Sequence, residues 1–273
     1  MKIKPENVLV TSTGSIGKPL PMGKIKKGIR IAAARLSKAG GGAAAQAILT
    51  TDTRKKEIAI RVKGFTIAGI AKGSGMIHPN LAPSTSSGHA TMHAFITTDA
   101  VIDRANLIKM LKSAVANSFN MITVDQCQST NDCVFVLANG LSGKQLKASA
   151  LEYVCTYLAK EIARDGEGAT QLIEVRVTGA RNEKEAQAAA RAIAGSDLLK
   201  CAVYGKDRNL GRIFAAAGAS SAKINPDKIK ADIKFGNKLS LVSCDLGMGR
   251  ARAVAWGCDL TEGYIRINAR YHT

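Results

Sequence analysis

Aromatic side chains make up only 4% of this sequence, and proline occupies just six of its 273 positions. A core short of aromatics must be built from aliphatic and small side chains, which suits closely packed α/β layers. No apolar run approaches the roughly 20 residues that cross a bilayer as a helix. The basic start, Met1-Lys2-Ile3-Lys4-Pro5, has no apolar stretch of signal-peptide type behind it. A cytoplasmic location with no membrane partner is therefore expected. The six cysteines, Cys127, Cys133, Cys155, Cys201, Cys244 and Cys258, include no Cys-x-x-Cys pair and no histidine at zinc-ligand spacing. No metal site is expected from them, and they read as reduced core residues. Acidic residues are few, 21 against 39 Lys and Arg, and the imbalance is steepest over residues 1–90, with 15 basic and 3 acidic side chains. Yet no aromatics interleave with the basic positions, and no helix-turn-helix, RNA-recognition or zinc-finger pattern is present. The charge reads as a solvated surface rather than a nucleic-acid footprint. Dinucleotide-binding and P-loop glycine patterns are missing as well.

What the chain does have is a 46% hydrophobic content at regular spacing, enough for one large domain or two small ones. Asn7–Ser12 reads as a short buried strand, and Pro19–Lys38 as a helix ended by Gly40-Gly41-Gly42. Glu57–Ile70 reads as two strands turning at Lys63-Gly64, Gly73–Gly88 as a loop, and Met92–Thr98 as a strand. Ala105–Asn117 is amphipathic. Cys133–Leu137 is strand-like, and Lys144–Arg164 carries the clearest helical stripe, formed by Leu151, Val154, Cys155, Leu158 and Ile162. Leu172–Val177 reads as a strand, Glu183–Ile193 and Leu210–Ala217 as helices, and Tyr264–Asn268 as a closing strand. Several strands are joined by short turns without a crossover helix. The expected class is mixed α/β, with layered mixed or antiparallel sheets flanked by helices rather than a doubly wound sheet.

Two segments suit chemistry. In the first, the Gly-, Pro- and Ser-rich loop leads to His89-Ala90-Thr91-Met92. A Thr behind a small residue, entering a buried strand, is placed to attack the carbonyl just before it. Cleavage there would free an α-amine with a pKa near ~7.7–8.0, able to act as base for its own hydroxyl. In the second, Ser12-Thr13-Gly14-Ser15-Ile16-Gly17 reads as a turn between strand and helix. Its backbone N–H groups, aided by a helix N-terminus, would favour negative charge.

These segments belong to a longer series. TSTGSIGKPL (11–20), LTTDT (49–53), AKGSGMIHPN (71–80), ATMHAFITTDA (90–100), SFNMITVDQCQSTNDCVFVLANG (118–140), RDGEGAT (164–170), GKDRNLGRI (205–213) and WGCDLTEGYIRINARYHT (256–273) resemble, in order, the ornithine acetyltransferase (glutamate N-acetyltransferase) family. The resemblance implies a fold like that of N-terminal-nucleophile enzymes and a precursor cut between Ala90 and Thr91. Residues 1–90 and 91–273 would then form an α/β heterodimer, expected to assemble as a heterotetramer. It implies acetyl transfer from N-acetylornithine to glutamate in arginine biosynthesis. No cofactor is implied, and acetyl-coenzyme A enters only as an alternative acetyl donor. By motif, Thr91 is the nucleophile, and Thr13 and Gly14 form the oxyanion hole. Thr50, Lys72, Thr91, Glu167, Asn268 and Thr273 are substrate contacts.

The chain also departs from the family pattern. A substantial stretch that precedes the oxyanion block in the family is expected to be absent. The segment Pro83–Ala90 intervenes before the nucleophile. Gln126-Cys127-Gln128 stands where the family typically has Gly-Asp-Thr, Leu210 where it has Trp, and Arg270 where it has Asp. Two other readings share these residues: an inactive or incomplete relative serving only as a binding or structural chain, and a self-processing aminopeptidase of similar fold. The substrate-contact blocks favour the acetyltransferases over the latter.

Overall fold

A computed structural model describes residues 3–82 and 90–270. Among these, two four-stranded sheets form. The first takes β1 (Lys56–Val62), β2 (Phe65–Lys72), β3 (His93–Thr98) and β4 (Cys133–Ala138) in that order. Its first two pairings are antiparallel and β3–β4 is parallel. The turn from β1 to β2 uses Lys63 at φ 46° and Gly64 at φ 92°. A two-residue turn with both φ values positive matches the right-handed strand twist, which is why Lys63-Gly64 was readable as a hairpin tip. The second sheet orders β5 (Leu172–Ala180), β6 (Lys230–Lys234), β7 (Leu239–Asp245) and β8 (Ala251–Cys258) as β6-β7-β5-β8, with only β5–β7 parallel. Mixed sheets with flanking helices are the expected class.

The helix α4 (Ala148–Arg164) joins the two sheets, packing on β1 and β2 of one and on β5 and β8 of the other. Its predicted stripe, Leu151, Val154, Cys155, Leu158 and Ile162, is fully buried. The approach to β2 is close: a Cβ on Gly69 would lie 2.8 Å from Leu158 Cδ1. α3 (Arg104–Ala116) packs against α4, and α5 (Glu183–Gly195) covers β5 and β8 beside α7 (Leu210–Gly218).

Cys127 and Cys201 are exposed rather than in the core, and the secondary structure departs from the sequence reading in four places. Asn7–Ser12 forms no strand. Pro5–Asn7 is a 3-10 turn, and Val8, Leu9 and Val10 are 52–71% exposed. An apolar run becomes a strand only beside a partner that takes its backbone hydrogen bonds; among the described residues, Asn7 N and Val8 N bond back to Lys4 and Pro5, and the one long-range backbone bond joins Ala90 N to the Ser12 carbonyl at 3.0 Å. The first helix, α1 (Met22–Ala34), stops short of Gly40, and the glycines instead open α2 (Gly41–Ala47), where an Ala-rich run favours helix. The sequence reading missed α6 (Asp197–Gly205), although the Ser196 hydroxyl caps Leu199 N. Finally, Tyr264–Asn268 lies in a helix, α8 (Glu262–Asn268), started by the Thr261 side chain accepting from Gly263 N. Tyr264, Ile265 and Ile267 imitate strand composition, but the cap decides.

Gln126 gives a local test. Its φ of 60° is left-handed, which costs a non-glycine residue roughly 1–2 kcal/mol; the glycine that the resemblance places there would avoid that cost. Gln126→Gly is expected to raise unfolding stability by about 1 kcal/mol, allowing for glycine's larger unfolded-state entropy. A shift of the urea midpoint at unchanged slope measures it.

Candidate active site

Thr91 sits immediately ahead of β3, its side chain half-buried. The Thr91 hydroxyl donates to the Met76 carbonyl at 2.7 Å, and Asp132 Oδ1 lies 3.5 Å from the same oxygen. Met76 is itself left-handed, at φ 53°. Asp125 holds this turn: its carboxylate accepts from Met76 N at 2.6 Å, Ile77 N at 3.0 Å and Cys127 N at 3.1 Å. Three amides on one carboxylate can offset the cost of an unfavourable φ, so the turn aims a carbonyl at the Thr91 hydroxyl. Burial nonetheless raises the Asp125 carboxyl above its ordinary range, against these amides and the Lys200 ammonium.

Thr91 opens onto a cavity of about 390 Å³ at the end of β2. Thr13, Gly14, Thr50, Lys72, Ala90, Thr91, Glu167 and Asn268 all line it. Every described residue singled out from the sequence is therefore in one place, although they span most of the chain. Thr273 and the segment Pro83–His89 lie outside the described residues. Thr13 and Gly14 line the cavity from a loop rather than from a helix end, since α1 begins eight residues later, at Met22. The helix-dipole contribution expected there does not apply, and any oxyanion stabilisation must come from the loop amides alone.

The cavity carries both signs of charge. Lys72, the last residue of β2, is 2% exposed, and its ammonium makes no hydrogen bond or ion pair among the described residues. Burial pulls its ammonium below the usual lysine range, although Asp52, Asp132 and Glu167 pull the other way. Glu167 accepts from Asn268 Nδ2 at 2.8 Å, and its own N–H donates to the Ser74 carbonyl at 2.9 Å. Its carboxylate lies over Gly75, where any Cβ would collide with it, so glycine is required by this close approach. A cavity with a cation and a carboxylate on opposite chemical duties fits a ligand carrying both an acid and an amine.

Beneath the cavity, the Lys56 ammonium is buried between Asp52 and Asp165, 2.6 Å from each. Asp52 also accepts from Thr50 N at 3.1 Å and Gly73 N at 2.7 Å, and Asp165 from Thr53 N at 3.0 Å and from the Thr53 hydroxyl. The trio ties the Thr50–Thr53 loop to the end of β2 and to the end of α4, and so places both Thr50 and Lys72. Burial works against charge on Asp52, but Lys56 and the two amides outweigh it and hold its carboxyl below the ordinary range. Asp52, Lys56, Asp125, Ser129, Asp132 and Asp165 are functional neighbours that sequence reasoning missed. For five of them the available signal was position inside the resembling blocks, as with Asp52 in LTTDT and Asp165 in RDGEGAT; Lys56 lies outside all of the blocks.

The sequence and the fold both have known relatives. The sequence matches the ArgJ family over residues 1–242 and 234–273. It is 47% identical to the arginine biosynthesis bifunctional protein ArgJ of Symbiobacterium thermophilum, across 99% of this chain and 74% of that protein. It is 43% identical to the protein of the same name from Caldanaerobacter subterraneus subsp. tengcongensis, across 100% and 75%. The crystal structure of arginine biosynthesis bifunctional protein argJ from Bacillus halodurans superposes with a TM-score of 0.61 at 42% identity, covering 64% of this chain and 97% of that one. On its sequence, its fold and the gathering of these residues around one cavity, the chain belongs to the ArgJ family.

Proposed function

We propose that this protein transfers acetyl from N-acetylornithine to glutamate through an acetyl-Thr91 intermediate, in arginine biosynthesis. The observation that carries the reading is Lys72: a lysine only 2% exposed, whose ammonium makes no hydrogen bond or ion pair among the described residues, on the same cavity as Thr91. A buried cation left unpaired is costly unless a ligand completes it, and an α-carboxylate is the complement common to both substrates. Glu167, held by Asn268, would receive the amine of ornithine.

Cleavage before Thr91 frees its amine, which takes the hydroxyl proton as Oγ1 attacks the acetyl carbon. The loop amides of Thr13 and Gly14 receive the oxyanion. Ornithine leaves with the proton, and the glutamate amine then attacks acetyl-Thr91 in the reverse sense. The name shared by the relatives, a bifunctional protein, supports acetyl-coenzyme A as a second donor. Strands β2 and β3 pair across the cut, from Ile67↔Thr98 to Lys72↔His93, which supports two chains that stay together as a heterodimer, itself the unit of a heterotetramer. Among the described residues no helix is long and apolar enough to cross a membrane, which agrees with a cytoplasmic enzyme.

The test is Lys72→Met. Loss of a charge-assisted contact of about 1.5–3 kcal/mol should raise KM for N-acetylornithine and for glutamate about 10- to 100-fold, with kcat far less affected. Thermal stability should hold, since the variant removes a charge that burial disfavours. Unchanged KM values in steady-state exchange assays would reject Lys72 as the carboxylate site.

A further inference from the structure

Self-cleavage poses a proton problem. The Thr91 hydroxyl must lose a proton as it attacks the Ala90 carbonyl, and the Thr91 nitrogen must gain one as the C–N bond breaks. Two side chains from the loop ahead of β4 face these two atoms. Ser129 Oγ accepts from Thr91 N at 3.4 Å, and Asp132 Oδ1 faces Thr91 Oγ1 at 3.5 Å. The two are joined, since the Ser129 hydroxyl donates to Asp132 Oδ1. Met92 N donates to the same oxygen at 3.0 Å, anchoring the carboxylate against the start of β3. Ser129 is 8% exposed and lines the cavity, so bulk water does not easily substitute for it.

We propose that Ser129 and Asp132 form the proton relay for cleavage of the Ala90–Thr91 bond. This rests on the reading above that the chain cuts itself before Thr91. The hydroxyl turns from the Met76 carbonyl and passes its proton to Asp132 as Oγ1 bonds to the Ala90 carbonyl carbon. When the C–N bond breaks, Thr91 N takes the Ser129 hydroxyl proton, and Asp132 returns its acquired proton to Ser129. Both side chains end as they began. The product is an ester of Ala90 on Thr91 Oγ1, which water hydrolyses to the Ala90 carboxylate and the free hydroxyl. Burial lifts the Asp132 carboxyl above its ordinary range, against hydrogen bonds from Ser129, Met92 and Thr91, which suits a group that holds a proton briefly. Once the amine is free, Ser129 remains its hydrogen-bond acceptor and keeps its lone pair turned to Oγ1.

The experiment follows the intact mass of freshly purified full-length protein over time. General base catalysis of this kind contributes about 10²- to 10⁴-fold, so Asp132→Asn should cut at least about 100-fold more slowly than wild type. Ser129→Ala should be slowed, and Ser129→Thr, which keeps the hydroxyl, should recover most of the rate. That pair separates relay from packing, because a structural role would penalise the larger Thr. Neutral hydroxylamine, which cleaves esters, should not rescue Asp132→Asn, since no ester forms. Rapid hydroxylamine cleavage of that variant would overturn the relay, because the shift would have happened without it. A wild type that cuts beside an equally fast Asp132→Asn overturns the relay alone. A wild type that stays whole overturns the cutting and the relay together.

Discussion

Thr91→Ala is expected to yield one uncut chain of about 28.7 kDa with no measurable exchange between N-acetylornithine and glutamate. Two losses coincide in this variant. The attacking oxygen that would open the Ala90–Thr91 bond is gone, and so is the oxygen that would carry the acetyl group. Removal of a covalent nucleophile costs on the order of 10⁵-fold or more in other acyl-transfer enzymes, which places the residue below detection. The fold should be nearly untouched, because Thr91 Oγ1 makes one short hydrogen bond, to the Met76 carbonyl, and a long one of 3.5 Å to Asp132 Oδ1, the first worth about 1 kcal/mol net. Thr91→Ser keeps an oxygen at that place and should still cut. Denaturing mass analysis with an exchange assay reads all of this, and exchange surviving in Thr91→Ala would displace Thr91 from its assigned role.

Lys56→Met should be the most destabilising change at the site that leaves the nucleophile alone. The ammonium is fully buried between Asp52 and Asp165. Its removal leaves two carboxylates facing each other without a counter-charge, which typically costs about 3–5 kcal/mol. The pH dependence gives a signature that simple loss of packing would not. In the wild type, Asp52 is held below its ordinary value of 3.8 by Lys56 and the amides of Gly73 and Thr50, against burial. Its contribution to stability is present above that ordinary value and is lost as pH falls through the lowered one. In Lys56→Met, burial is no longer opposed by the ammonium, and the Asp52 carboxyl should move up. Protonation then relieves the repulsion, so the gap between variant and wild type should begin to narrow above the ordinary value of 3.8, as pH falls through the variant's raised one, and go on narrowing down to the wild type's lowered one. Urea unfolding at neutral and acid pH measures it. A gap independent of pH would mean that the trio is a packing unit rather than a charge cluster.

Local signals and long-range ones fared differently in the sequence. The α4 stripe and the Lys63-Gly64 hairpin were legible because each is specified within one turn of chain, by period or by positive φ. Val8-Leu9-Val10 misled because a strand is a property of a pair, and its composition says nothing about a partner. Tyr264–Asn268 misled because β-branched composition was weighed above the capping chemistry of Thr261. At the site, Thr50, Lys72, Glu167 and Asn268 could be named through the resembling blocks, yet no spacing rule would have gathered them. The supporting layer escaped altogether. Lys56 and Asp165 are 109 positions apart, and Thr91 is 41 from Asp132. A buried Lys reads in sequence like any surface Lys, and only the fold shows that it has two acids beneath it.

The pairing of β2 with β3 carries a consequence for refolding. Before cutting, these strands are joined by one loop, so their meeting is an event within a single molecule. The proposed cut before Thr91 would leave one sheet shared by two separate polypeptides, with β1 and β2 on the first and β3 and β4 on the second. Reassembly after denaturation becomes a bimolecular encounter, slower on dilution, between partners that each expose an unpaired sheet edge. The cut protein should therefore recover poorly from urea at low concentration, whereas uncut Thr91→Ala recovers at a rate independent of concentration. Its lifetime would be set by the barrier to unfolding rather than by the balance between folded and unfolded states, so each molecule that cuts itself would have one opportunity to fold as a single chain.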